Sequence, residues 1–249
     1  MIVRNEKELA GLQKIGHVVA NTLKQMKAYA AVGMSTKELD DYGADLLKKA
    51  GAKSAPLLTY NFPGATCLSV NQVVAHGVPS SDLILQEGDL LNIDVSAELA
   101  GFWSDNGASI IVGQDVHGHT PLLQASQEIL DKAIAQIHGG TKISDIGNYI
   151  EHQAHKRGFC VIKNLSGHGL GRSLHEEPFD ILNYREPSDK RRFRKGMVVA
   201  VETFINTAST LAVEQADGWT MIGNKGGFAV QHEHTIVVTE HAPLILTLA

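Results

Sequence analysis

The chain has 249 residues, 43% of them hydrophobic and 20% charged, and a formal charge of -5. That is ample chain for a large core, and its acidic balance gives no reason to expect a nucleic-acid or anionic-membrane partner. Two cysteines without paired spacing, Cys67 and Cys160, make no disulfide framework and point to a reducing compartment. No apolar run reaches the roughly 18 residues of a membrane span. The early charges Arg4, Glu6, Lys7, Glu8 and Lys14 leave no secretory segment, so a cytoplasmic protein is expected.

In residues 6–30, Leu9, Leu12, Ile15, Val18, Val19, Leu23 and Met26 recur at helical spacing, and Gly33 ends the predicted helix. Ser35-Thr36-Lys37-Glu38 is a capping-box pattern opening a second helix that stops at Gly51. Residues 54–64 contain Pro56 and Pro63 and read as irregular loop. Residues 67–71 and 73–76 read as short strands closed by Gly77 and Pro79. Next, Leu91, Ile93, Val95 and Ala97 alternate with Asn92, Asp94 and Ser96, the period of a strand with one apolar face. Ala100-Gly101 supplies a hairpin turn into a second strand that runs through Val112.

Helices are expected over residues 121–137 and 144–157, with Ser144 as a cap and Gly158 as a stop. Residues 159–162 read as a strand, and the glycine-rich stretch from Gly167 as a loop lasting to Arg194. Two strongly apolar strands follow, 197–205 and 228–238, with a turn at Asp217-Gly218 between them. Two helices and then strands thus occur twice. The expectation is an α+β fold of helices on a mostly antiparallel sheet, a single domain over 1–249 with similar halves, 1–113 and 114–249.

The central hairpin carries the first chemical clue. With its turn centred between Leu99 and Ala100, Asp94 would lie directly opposite Asp105. Facing like charges are destabilising, the more so where water is scarce. A shared proton, full exposure or a bound cation would relieve them, and the apolar flanks favour the cation. Glu202 and Glu233 also interrupt apolar strands, where an unpaired carboxylate costs several kcal/mol or takes a proton. His168 sits between Gly167 and Gly169, which suggests a ring held on a tight loop, and His76 precedes Gly77 after an apolar strand.

Each of these residues alone is compatible with an ordinary ion pair or a solvated side chain. Together they are harder to accommodate, because no strand Lys or Arg is available nearby and the basic residues cluster instead in an expected loop, at residues 190–195. Four carboxylates and one imidazole form a hard, oxygen-rich set that suits two divalent ions better than one. Cysteine is missing from the set, which argues against structural zinc. Gly167-His168-Gly169-Leu170-Gly171 has its third glycine misplaced for a dinucleotide fingerprint, and Ser166 and Ser173 lie in no nucleophile elbow.

In the order Ser69-Val70-Asn71, Ala75-His76-Gly77-Val78-Pro79, Asn92-Ile93-Asp94-Val95, Ser104-Asp105, Gly167-His168-Gly169-Leu170-Gly171-Arg172-Ser173-Leu174-His175-Glu176-Glu177-Pro178, Val201-Glu202, Asp217-Gly218-Trp219-Thr220 and Glu233-His234-Thr235, the chain resembles the type I methionine aminopeptidases. The match spans nearly the whole chain, and the run from Gly167 to Pro178 is its most specific part. The resemblance implies the pita-bread fold, two pseudo-symmetric halves around a central dinuclear metal site.

It also implies residue roles. Asp94 would bind one metal, His168 and Glu202 the second, and Asp105 and Glu233 would bridge. The ions would be two of Co, Mn, Fe or Zn. His76 and His175 would contact substrate around the scissile amide, and Phe62, Cys67, His76 and Trp219 would lie at an apolar pocket for the methionine side chain. Glu202 would take and return the proton, and His175 would stabilise the oxyanion. The implied substrate is the N-terminus of nascent polypeptides near the ribosome, with the initiator methionine removed when the second residue is small. The enzyme would be a cytoplasmic monomer with no nucleic-acid substrate and no membrane.

Three positions depart from the family pattern. Asn106 follows Asp105 where Thr is usual, Thr203 follows Glu202 where Pro is usual, and Thr59 lies near a region where some members carry an aromatic residue. The first two abut ligands, so metal affinity or ligand orientation could differ. The competing readings are a prolidase or aminopeptidase P of the same fold, and a non-catalytic scaffold. The first usually carries an additional N-terminal domain, and the second is expected to have lost ligands.

Overall fold

The computed structural model describes residues 1–249. Helix α1 (Glu6–Tyr29) is capped by Asn5, whose side chain accepts from Glu8 N at 3.0 Å. Its stripe of Leu12, Ile15, Val19, Leu23 and Met26 is buried. Helix α2 (Thr36–Lys49) begins at the expected cap, with Ser35 Oγ accepting from Glu38 N at 3.1 Å.

After β1 (Lys53–Ser54), the stretch expected to be irregular holds a short helix, α3 (Ala55–Tyr60). Pro56 is compatible with it, since a proline in the first turn has no helical hydrogen bond to lose. Ser54 Oγ caps the turn, accepting from Leu57 N at 3.4 Å, and Asn61 ends it with a left-handed φ of 56°. Helices α4 (Thr120–Ile134) and α5 (Ile143–Lys156) match expectation, except that Ser144 lies inside α5 and makes no cap; Lys142 takes that position without a side-chain bond.

A ten-stranded sheet runs across both halves. It contains β1, β2 (Cys67–Val70), β4 (Leu90–Leu99), β5 (Phe102–Ile111), β6 (Cys160–Val161), β7 (Ser166–Gly169), β8 (Glu176–Leu182), β9 (Val198–Asn206), β12 (Ala229–Val237) and β13 (Leu244–Ile245). Its main path is β1-β4-β5-β12-β9-β7-β8, with antiparallel pairing. A second sheet joins β3 (Val73–Ala75), β10 (Ala212–Glu214) and β11 (Met221–Gly223).

Three further expectations need correction. The stretch expected to be loop from Gly167 to Arg194 contains β7 and β8, so His168 stands on a strand. Its flanking glycines are there for close packing: a Cβ on Gly167 would sit 2.5 Å from Ala200 O, and one on Gly169 would collide with the Glu177 carbonyl. Strands β10 and β11 were also unforeseen around the Asp217-Gly218 turn. Finally, the hairpin register is shifted. Leu99 pairs with Phe102, and Ala100 and Gly101 form the turn with φ of 53° and 82°. Asp94 therefore lies opposite Gly107 and Asp105 opposite Ser96. The two aspartates are diagonal neighbours on one face rather than directly opposed.

Each half packs its helices on one face of the sheet. Ile15, Val19 and Leu39 meet Ile93, Val95 and Ala108 in one apolar cluster; Ile129, Ile146 and Ile150 meet Val199, Val201, Val230 and Ile236 in the other. Strand side chains alternate between faces. Once Ile93 and Val201 turn to the helices, Asp94 and Glu202 must turn the other way.

Candidate metal centre

Five adjacent strands in the sheet, β4, β5, β12, β9 and β7, each carry one of the expected ligands: Asp94, Asp105, Glu233, Glu202 and His168. Glu202 and Glu233 are direct cross-strand partners, and His168 pairs with Ala200, two residues before Glu202. Donor atoms of Asp105, His168 and Glu233 lie within 4.8 Å of one another. All five residues line one cavity of about 490 Å³. His168, Asp105, Glu202 and Glu233 are buried, and Asp94 is half-buried.

No lysine or arginine lines this cavity. Burial pushes the carboxyls of Asp105, Glu202 and Glu233 well above the usual carboxylate range, and repulsion among the carboxylates adds to it. Burial raises Asp94 as well. The His168 imidazole is pushed down to about 3, first by burial and then by the neighbouring His175. It is therefore neutral, and its Nδ1 lies 3.1 Å from the Gly169 carbonyl, which can only accept. The proton is thus on Nδ1, and the lone pair is on Nε2, 3.7 Å from Asp105 Oδ2. Once Asp105 is ionised, two acceptors face each other there. Asp105 Oδ1 and Glu233 Oε1 also have no hydrogen-bond donor. A lone pair, unpaired carboxylate oxygens and no basic residue fit a divalent cation.

A layer of neutral polar side chains holds the acidic residues from behind. Gln231 Nε2 donates to Glu233 Oε2 at 3.0 Å and to Glu202 Oε2 at 3.3 Å. Asn92 Nδ2 donates to Gln231 Oε1 at 2.8 Å and so fixes that amide. Thr235 Oγ1 accepts from Asp105 N at 2.9 Å and donates to Asp105 O at 2.7 Å. The sequence assigns none of these three a role, although Asn92 and Thr235 stand in the stretches that carry the resemblance. Gln231 had a usable signal: it stands two residues before Glu233 in an apolar strand and so shares its face.

The expected substrate-side residues also meet here. Phe62, Cys67, His76, His175 and Trp219 all line the cavity. The Phe62 and Trp219 rings pack edge to face with centroids 5.3 Å apart. Cys67 is the register partner of Asp94, and His175 lies over His168 with ring centroids 4.1 Å apart.

Residues 10–240 match the model of metallopeptidase family M24. The chain is 48% identical over 247 residues to methionine aminopeptidase 2 of Bacillus subtilis, covering 99% of each chain. It is 41% identical to a Staphylococcus epidermidis methionine aminopeptidase, covering 98% of that protein. The chain belongs to the methionine aminopeptidases of family M24. The crystal structure of the Thermotoga maritima methionine aminopeptidase superposes with a TM-score of 0.95 over 100% of both chains, at 33% identity. The Pyrococcus furiosus prolidase shares the fold at a TM-score of 0.78 and 22% identity, and the present chain covers 66% of it. The architecture is thus the pita-bread fold of the M24 peptidases.

Within this M24 frame the three departures can be placed. Asn106 and Thr203 point away from the donors, as neighbours on a strand must. Asn106 Nδ2 reaches Thr247 O at 3.4 Å, and Thr203 Oγ1 lies 3.0 Å from Ser126 Oγ on α4. Neither lines the cavity. Thr59 is exposed and does not line it either. Pro56 and Tyr60 do, because helical spacing puts residues four apart on one face of α3.

Proposed function

We propose that Asp94, Asp105, His168, Glu202 and Glu233 hold two divalent metal ions, and that this centre removes the initiator methionine from polypeptides whose second residue is small. The observation that carries the reading is the convergence of five donors from five adjacent strands with His168 Nε2 facing Asp105 Oδ2. Asp105 and Glu233, on the adjacent strands β5 and β12, would bridge. Asp94 would serve one ion, and His168 with Glu202 the other. An oxygen and imidazole set of this kind accepts Mn, Fe, Co or Zn.

When bound, such ions supply a water of lowered pKa and Lewis acidity at the scissile carbonyl. The chain's own residues do the rest. Glu202, with Oε2 held by Gln231, takes the proton of the attacking water and returns it to the leaving amine. His175 donates to the developing oxyanion, and His76 contacts the amide. Phe62, Cys67 and Trp219 receive the methionine side chain in an apolar slot.

The reading takes residues 1–249 as one catalytic domain, supported by the position of β12 between β5 and β9. It also takes the enzyme to be a cytoplasmic monomer acting on chains leaving the ribosome; no helix is long and apolar enough to cross a membrane. The test is hydrolysis of Met-Ala-Ser and of Xaa-Pro dipeptides by chelator-stripped protein reloaded with Mn or Co. Methionine release without Xaa-Pro cleavage is expected. Xaa-Pro cleavage without methionine release would overturn the reading in favour of a prolidase, and no hydrolysis of either would favour a scaffold.

A further inference from the structure

Tyr60 is the last residue of α3 and one of the few half-exposed aromatics at the cavity mouth. Its hydroxyl lies 2.6 Å from His175 Nδ1, with the two rings 5.9 Å apart and tilted by 51°. This contact joins a helix of the first half to the loop between β7 and β8 in the second.

We infer that Tyr60 is a positioning residue for His175: its hydroxyl donates to Nδ1 and thereby fixes the ring as the Nε2–H tautomer, the form that can donate to substrate. The inference rests on the reading that His175 touches the scissile amide. A neutral imidazole has one N–H and one lone pair, so the partner of Nδ1 decides what Nε2 presents. With the phenol donating, Nε2 carries the proton. With the roles reversed, Nε2 offers a lone pair to a cavity already lined by Asp94, Asp105, Glu202 and Glu233, all acceptors when ionised, and to a substrate carbonyl that is another. The acceptor-rich surroundings favour the donor at Nε2. A phenol, with an ordinary pKa of about 10, keeps its proton throughout the neutral range.

Tyr60 is itself held in place. Ser54 Oγ caps α3 and donates to Ala65 O at 2.7 Å, and the left-handed Asn61 ends the helix directly after Tyr60. On its other side, the His175 ring packs on His168 at a centroid separation of 4.1 Å. The His175 ring is thus held by a packing contact to His168 and a hydrogen bond to Tyr60, and of these two contacts only the hydrogen bond engages a particular ring nitrogen.

The test compares wild type, Y60F, H175A and the double variant, all loaded with Zn and checked for unchanged thermal melting. Long-range proton–nitrogen spectra, with the His175 signals identified by their loss in H175A, should show the Nε2–H tautomer in wild type and a mixture in Y60F. Y60F should lower kcat for Met-Ala-Ser about tenfold and leave KM within about twofold. In the H175A background the same change should cost nothing further, because the hydroxyl acts only through the ring. An Nδ1–H tautomer in wild type, an unchanged kcat in Y60F, or an equal loss with and without His175 overturns the inference alone. Wild-type kcat in H175A overturns the substrate contact of His175 and the inference with it.

Discussion

Gln231 donates to Glu233 Oε2 at 3.0 Å from two residues earlier on the same strand, with its own carbonyl oxygen held by Asn92 at 2.8 Å. The same amide nitrogen reaches Glu202. One neutral side chain therefore orients two of the cavity carboxylates and leaves Glu233 Oε1 without a hydrogen bond of its own. Replacing Gln231 with Ala should weaken Mn affinity by about 10- to 100-fold while the fold survives. Calorimetric titration of stripped protein checks it, and unchanged affinity would remove Gln231 from the metal-orienting layer.

Glu202→Gln keeps the shape of the side chain and removes its basicity. At saturating metal, kcat should fall by about 10²- to 10⁴-fold if Glu202 moves the proton. Steady-state turnover of Met-Ala-Ser with bound metal measured in parallel separates this loss from lost metal. A kcat near wild type with full occupancy would reassign the proton to another group.

The raised carboxyls give the stripped protein a definite pH response. A carboxyl whose folded pKa exceeds its unfolded value binds its proton more tightly when folded. Its folded state is therefore favoured at low pH, and stability is lost as pH rises from the ordinary carboxylate range through the raised folded values. Melting temperature of chelator-treated protein should fall across that window toward neutrality. Metal should reverse the trend, because it binds the deprotonated carboxylates. A flat profile without metal would mean that the carboxylates are solvated as the chain breathes.

Gly167→Ala should push β7 away from β9, since the added Cβ meets the backbone of Ala200 rather than a movable side chain. A cost of about 1–3 kcal/mol is expected by denaturant unfolding. Metal affinity should fall too, because His168 is the next residue on the displaced strand. Full affinity in a destabilised variant would show that the ring can follow the shift.

The parts of this molecule visible in its sequence are those where one residue contradicts its surroundings. Asp94, Glu202 and Glu233 stand out because a charge in an apolar strand is a local anomaly. The α1 stripe and the Ser35 cap stand out because helical periodicity and capping are likewise local. The register of the central hairpin is not local in this sense: it depends on Ala100 taking a left-handed φ that its sequence does not advertise, and the error moved Asp94 past Asp105 by one diagonal step. Helix α3 was hidden by Pro56, whose meaning reverses between the first turn and the interior of a helix. Strands β7 and β8 were hidden because Gly167 and Gly169 read as loop until the neighbouring backbones that require them are in place.

Strand β12 closes the sheet between β5 and β9, although it is nearly the last part of the chain. During synthesis the β4–β5 hairpin therefore keeps a free edge, and β9 keeps another, until residues 229–237 have left the ribosome. Glu233 arrives on that same strand. A copy interrupted before it has two open sheet edges and lacks one of the five proposed metal ligands, so the joining of the β4–β5 hairpin to β9 and the completion of the ligand set are a single event.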